Sequence, residues 1–288
     1  MIIDAHNHPD WHGHDLEIFV ANMDQYGIAK TWLLSWECPP DEYDPVHYGL
    51  LSPAGSSGSP LPFDRCLSYM ERQPDRFILG YCPDVRRPDA IDRMRAAVDI
   101  YGARVCGELK LRMMYDNPDA LRFFHFCGER GLPVTLHLDY EFSTDVTYPR
   151  PNYWYGGGIE TLERALKACP DTIFLGHAPG FWAHISGDGK HDKEPYPTGP
   201  VVAGGKVPEL MRSYPNLYGD LSAGSGANAL RRDPDYARRF ILEFSDRLLY
   251  GRDYFDNALQ ELLDSLGLPA EVLEKLYSGN ALSLVPAF

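Results

Sequence analysis

No run of about 18 apolar residues occurs anywhere in the chain, so no membrane-spanning helix is expected. The amino terminus reads MIIDAHNHPDW, placing a polar His-Asn-His where a signal peptide would carry its apolar stretch, and no secretory address is read there. Basic residues are scarce: 27 Lys and Arg stand against 41 Asp and Glu, a formal charge of −14. That balance argues against nucleic acid or an anionic membrane surface as partner, while leaving room for a small anion in a locally positive pocket. Cysteine is sparse. Cys38, Cys66, Cys82, Cys106, Cys127 and Cys169 are scattered without CxxC spacing. This excludes a disulfide framework and a thiolate metal site, and reads as buried thiols in a reducing cytoplasm. Internal repeats and low-complexity tracts are also lacking.

What the chain does contain is an alternation of short apolar runs with segments of helical period, the pattern of repeated βα units. Strands are expected at residues 2–5, 31–35, 77–81, 104–111, 133–138, 172–177, 217–222 and 247–251. Helices are expected at 15–27, 65–72, 88–101, 118–129, 159–168, 207–213, 235–244, 259–266 and 270–284. Eight such units in 288 residues fit a single-domain α/β protein, a (β/α)8 TIM barrel, with a doubly wound open sheet as the alternative. Three long loops, at 36–62, 140–158 and 179–206, each follow a strand. In a barrel they lie on the carboxy-terminal face, where active sites are built.

The polar residues fall at the ends of those strands. His6 and His8 end the first, and their spacing of two turns both imidazoles to one side of an extended chain. Glu108 and Lys110 share a face of the fourth strand, with Leu109 and Leu111 on the other. His137 ends the fifth strand, His177 the sixth, and Asp253 the eighth. Each unsatisfied buried polar group costs roughly 1–3 kcal/mol. A divalent metal ligated by neutral imidazoles and carboxylates offsets that cost. The donors are nitrogen and oxygen, which suits zinc, manganese, iron or nickel.

These motifs resemble the amidohydrolase superfamily of metal-dependent hydrolases, in its amidohydrolase 2 branch. The resemblance rests on IleIleAspAlaHisAsnHis at the start, His137, His177, GlyArgAspTyr around Asp253, and the terminal SerGlyAsnAla with Asn280. It implies that His6, His8, His137 and Asp253 bind a principal metal, zinc first, and that His177 ligates it or hydrogen-bonds its water. Many branch members carry only a lysine on the fourth strand, which Lys110 matches. Glu108 resembles instead the strand-four glutamate of TatD-type hydrolases, which bridges two metals; a salt bridge to Lys110 and a carbamylated Lys110 are the alternatives.

Lys110, Arg112, Tyr140, Trp182, His184 and Arg252 stand where substrate is expected, and the two arginines suit a carboxylate. Asp220 and Ser222, ending the seventh strand, are placed with them, and the aromatic stretch 148–155 suits a planar substrate or loop packing. His12, His14, His47 and His191 read individually as solvated or structural. The expectation is a cytoplasmic hydrolase, alone or as a homo-oligomer, with one or two metal ions and a small carbonyl substrate. Asp253 would serve as general base and then acid, with His177 orienting the nucleophile or stabilising the oxyanion. The alternatives are non-oxidative decarboxylation of an aromatic or enoic acid, as in aminocarboxymuconate-semialdehyde decarboxylase, and a ligand-binding barrel without turnover.

Overall fold

The computed structural model describes residues 1–43, 49, 51–56, 58–140 and 153–286. Eight parallel strands follow one another in chain order: β1 (Ile2–Asn7), β2 (Ile28–Leu33), β3 (Phe77–Tyr81), β4 (Val105–Leu109), β5 (Val134–His137), β6 (Phe174–His177), β7 (Leu217–Asp220) and β8 (Leu248–Leu249). Hydrogen bonds from Ala5 N to Tyr250 O (2.9 Å) and from Asp253 N to His6 O (2.8 Å) tie the last strand's end back to β1, giving the TIM barrel.

Helices begin where the sequence supplies caps. Asp15 accepts from Ile18 N, Asn117 from Asp119 N and Asp233 from Tyr236 N, with Pro118 and Pro234 opening their first turns. Three helical regions depart from expectation. Ala223–Arg231, AGSGANALR, is helical although Gly224, Ser225, Gly226 and Asn228 lower its propensity; its Ala227 and Leu230 are buried, so packing decides. The expected helix 270–284 is divided by a π-helical turn at Lys275–Gly279, and loop 179–206 holds a helical turn at Pro179–Trp182.

Inside the barrel, Ile3, Ala5, Trp32, Leu34, Ile78, Val105, Leu175 and Leu249 pack together, with Ala281 and Val285 of the C-terminal segment against them. The larger apolar cluster, including Cys106, Leu109, Leu136 and Leu248, lies between strands and helices. Val105 therefore faces in and Cys106 and Leu109 face out. Strict alternation would send Glu108 outward with Cys106, yet it joins the interior site. Between Cys106 and Leu109 the register of β4 against β5 shifts, and this irregularity re-aims the carboxylate. A second shift, between Asp4 and Asn7 of β1, adjoins His6.

Strands β4 and β8 are shorter than expected, so Lys110, Arg112 and Asp253 follow strands instead of lying on them. Arg252, expected at a substrate carboxylate, closes the barrel. Its backbone N and Nε donate to the two carboxylate oxygens of Asp4, both at 2.8 Å, and its Nη1 donates to Asn22 at 2.7 Å. Both partners of this ion pair are buried. Removing one partner leaves a buried charge unpaired, at about 3–5 kcal/mol. Arg252→Met is therefore expected to lower the thermal midpoint by roughly 10 °C. An unchanged melt with a raised KM would return Arg252 to the substrate.

Candidate metal centre

Strand ends from around the barrel deliver one cluster. His6 lies on β1 and His8 just beyond it; Glu108 lies on β4, His137 and His177 end β5 and β6, and Asp220 ends β7. Direct pairing of His137 with His177 in the β5–β6 ladder sets those two imidazoles side by side. Asp253 arrives from the turn after β8 in a left-handed conformation (φ 55°), held by its own N–H to His6 O and by Trp11 Nε1 to its carbonyl.

The imidazole nitrogens are sorted by their outer partners. His6 Nδ1 is 2.6 Å from Asp220 Oδ2, and His8 Nδ1 is 2.8 Å from the Leu34 carbonyl. Both acceptors require a proton on Nδ1, which leaves the Nε2 lone pairs pointing inward. His177 Nδ1 faces Ser222 Oγ at 3.0 Å and Asp220 Oδ2 at 3.4 Å. The inner nitrogens then meet each other and carboxylates. His6 Nε2 is 3.3 Å from His8 Nε2. Glu108 Oε2 is 3.5 Å from His8 Nε2 and 3.9 Å from His6 Nε2. His177 Nε2 is 3.6 Å from Glu108 Oε1 and 4.0 Å from Asp253 Oδ2. Asp253 Oδ1, 3.4 Å from His8 Nε2, is buried without a hydrogen-bond partner.

In the neutral rings, inward lone pairs facing carboxylates repel unless a proton or a metal cation lies between them. Two sets, His6 with Glu108 and His177, and His6 with His8 and Asp253, each bring three donor atoms within 4.8 Å of one another. These donors fit a divalent metal by type, tautomer and the unpartnered Asp253 oxygen. His137 stands apart from both sets. Its Nδ1 lies 2.5 Å from Glu108 Oε1 and its Nε2 3.4 Å from Asp139 Oδ2. Asp139 was not anticipated, although it follows His137 with the same spacing of two as His6 and His8.

Charge coupling is strong. Burial pulls the His6 pKa down, but the Asp220 charge and hydrogen bond, with Asp253 and Glu108, push it up to about 10. Burial likewise opposes a charged His8, but the nearby carboxylates of Asp253 and Glu108 raise it. Burial raises and its histidine neighbours lower both acids, His137 first for Glu108 and His8 first for Asp253; the histidines win. His177 goes the other way: burial, and then the charge on His6, lower it to about 4.

Several expected substrate contacts are placed elsewhere. Lys110 Nζ lies 5.0–5.6 Å from the ring centres of Trp36, Tyr153 and Tyr155, and it donates to Tyr153 Oη at 3.4 Å. The expected alternative of a Glu108–Lys110 salt bridge is replaced by the Glu108–His137 contact. Arg112 Nε is buried without a hydrogen-bond partner, while its backbone N donates to Glu42. Trp182 is buried and donates to the Asp220 carbonyl at 2.7 Å, bracing β7. His184, also buried, lies 2.5 Å from Tyr140 Oη, whose hydroxyl donates to the Gly180 carbonyl, and its ring centre is 4.0 Å from that of His191 at a tilt of 34°. His14 stacks on Phe255 and His12 packs beside Trp11 and Tyr254. His47 and residues 148–152 lie outside the described residues.

A profile of the family described as Amidohydrolase matches residues 62–287. Comparison with curated proteins finds no match. Among solved structures, the chain is similar to an uncharacterized TIM-barrel protein from Bordetella bronchiseptica (TM-score 0.66, 18% identity, 99% of this chain and 98% of that one). It is also similar to a dihydroxybenzoic acid decarboxylase from Polaromonas with bound manganese and the inhibitor 2-nitroresorcinol (TM-score 0.57, 16% identity, 92% and 84% covered). A third is a probable 2-pyrone-4,6-dicarboxylic acid hydrolase from Acinetobacter baumannii with citric acid bound (TM-score 0.59, 13% identity, 98% and 98% covered).

The opposed histidine shifts predict a bell-shaped stability profile for the chelator-treated protein. His6, raised to about 10, contributes stability that is full below pH 6.5 and lost as pH climbs toward 10. His177, lowered to about 4, contributes stability lost as pH falls from 6.5 toward 4. Thermal midpoints should peak near pH 6–7, and added zinc or manganese should flatten the alkaline limb by replacing the proton. A metal-free profile rising steadily from pH 6 to 10 would contradict this electrostatic picture.

Proposed function

The chain belongs to the amidohydrolase family, and we propose that it is a divalent-metal-dependent hydrolase of a small carbonyl compound, an amide, ester or lactone. The observation that carries this reading is Asp253, a half-buried carboxylate whose enclosed Oδ1 makes no hydrogen bond among the described residues and lies beside the imidazoles of His6, His8 and His177. His6, His8, Glu108, His177 and Asp253 would hold the cation, with His137 beside Glu108 as a further donor. Zinc is the first choice for nitrogen and oxygen donors, with manganese, iron and nickel also suited. When bound, the ion polarises a carbonyl oxygen and acidifies water from about 15.7 toward roughly 7.

The side chains supply the rest. Although burial favours its neutral form, Asp253 is held ionised by His8, so it can accept a proton from the nucleophile and return it to the leaving group. His177 stays neutral near pH 7 and can orient the nucleophile without adding charge. Lys110 is buried two residues after Glu108, and burial's pull on its pKa is outweighed by Tyr153, Tyr155, Glu108 and Asp139, so it stays cationic. With the rings of Trp36, Tyr153 and Tyr155 around it, this ammonium suits a flat substrate bearing a carboxylate. Arg112 Nε offers a second donor. Six buried cysteines outside any disulfide suit a reducing cytoplasm.

Lys110 also favours a second reading, non-oxidative decarboxylation of an aromatic acid, because that substrate presents a carboxylate on a planar ring. A panel of lactones, esters, amides and aromatic carboxylic acids, run in 18O-water with 13C-carboxyl label, separates the two. Hydrolysis puts 18O in the product acid; decarboxylation releases labelled carbon dioxide. Asp253→Asn should slow hydrolysis by about 10²–10⁴-fold. Near-normal turnover by that variant would reassign the base, and carbon dioxide release without 18O uptake would replace the hydrolase reading with the lyase.

A further inference from the structure

Asp220 lies outside both donor sets, yet it touches two of their members. Its Oδ2 is 2.6 Å from His6 Nδ1 and 3.4 Å from His177 Nδ1. Its Oδ1 accepts from the backbone N–H of Ser222 at 2.9 Å, and its own carbonyl accepts from Trp182 Nε1. The residue is 1% exposed. Gly251 leaves the space this carboxylate needs: a Cβ there would stand 3.0 Å from Asp220 Oδ1 and 3.1 Å from His6 Cβ.

We infer that Asp220 is a positioning residue: one carboxylate, oriented by Ser222 N–H, that sets the ring pose and tautomer of His6 and braces His177, so that both offer Nε2 to a metal. This rests on the metal-dependent reading above. The reasoning is one of donors and acceptors. His6 can ligate through Nε2 only as the Nδ1–H form, and that form needs an acceptor at Nδ1. Asp220 Oδ2 is placed to accept, while Oδ1 is already taken by a donor. His177 has a second Nδ1 partner in Ser222 Oγ at 3.0 Å, so it depends on Asp220 less than His6 does.

The Ser222 N–H makes an amide substitution informative. In Asp220→Asn, the amide oxygen must take the Ser222 N–H, because an NH2 there would place donor against donor. The NH2 then faces His6 Nδ1 and demands a lone pair from it. His6 would be driven to the Nε2–H form, which cannot ligate. Asp220→Ala imposes no such demand, because a water can accept the Nδ1 proton.

The test is metal affinity, measured by competition against a chromophoric chelator with zinc and with manganese, together with 15N-resolved histidine spectra of the zinc-loaded protein. The wild type is expected to show His6 protonated on Nδ1. Asp220→Asn should bind about 10–100-fold more weakly, the usual worth of an outer partner of a metal-ligating histidine. Asp220→Ala should fall between it and the wild type. A mere loss of packing would weaken Asp220→Ala at least as much as Asp220→Asn, and that order overturns the inference. So does an Asp220→Asn protein with wild-type affinity, or a zinc-loaded wild type with His6 protonated on Nε2, a reading that needs no variant to fold. A wild-type chain that binds neither metal refutes the metal-dependent reading itself.

Discussion

Three buried carboxylates, Glu108, Asp139 and Asp220, and the half-buried Asp253 gather at the carboxy-terminal end of the barrel with four imidazoles, and the rest of the site answers to that concentration of negative charge. In a low-dielectric interior such acids are tolerable only when a cation sits among them. Protons can serve: His6 and His8 are pushed toward their charged forms by these acids. A divalent metal serves better, since it meets several lone pairs at once. Metal and proton therefore compete for the same site, with opposite consequences for chemistry.

The barrel is what keeps this charge in place. Each group is held by a neighbour on a different strand: His6 by Asp220 of β7, His8 by the Leu34 carbonyl after β2, Glu108 by Ser35 through its backbone. Closure between β1 and β8 runs through Arg252 and Asp4, directly beneath His6 and Asp253. The ion pair that completes the fold thus also fixes the distance between two of the site's donors.

Around this rigid floor the long loops differ in character. The segment after β6 packs inward: Trp182 braces β7, and His184 is buried against Tyr140 and His191. Burial and His191 lower the His184 pKa to about 3, so it is a neutral structural ring near pH 7. The segment after β4 carries cations instead, with Lys110 buried among aromatic rings and Arg112 Nε making no hydrogen bond among the described residues.

The sequence by itself determined the eight-fold βα alternation and placed His6, His8, His137, His177 and Asp253 at strand ends, because hydrophobic period and strand-end position are local properties of the chain. Only the tertiary structure decided which of these groups share a cavity and which partner each one takes. Glu108 stands opposite the outward Leu109, as their alternation predicts, but the register shift between Cys106 and Leu109 is visible only in the fold. Arg252 and Trp182 look like substrate contacts in one dimension, yet their partners, Asp4 and the Asp220 carbonyl, lie 248 and 38 residues away. Asp220 shows the same limit: a hydrogen bond spanning 214 residues to His6 leaves no trace in the local pattern, because a partner is chosen by barrel closure and not by spacing.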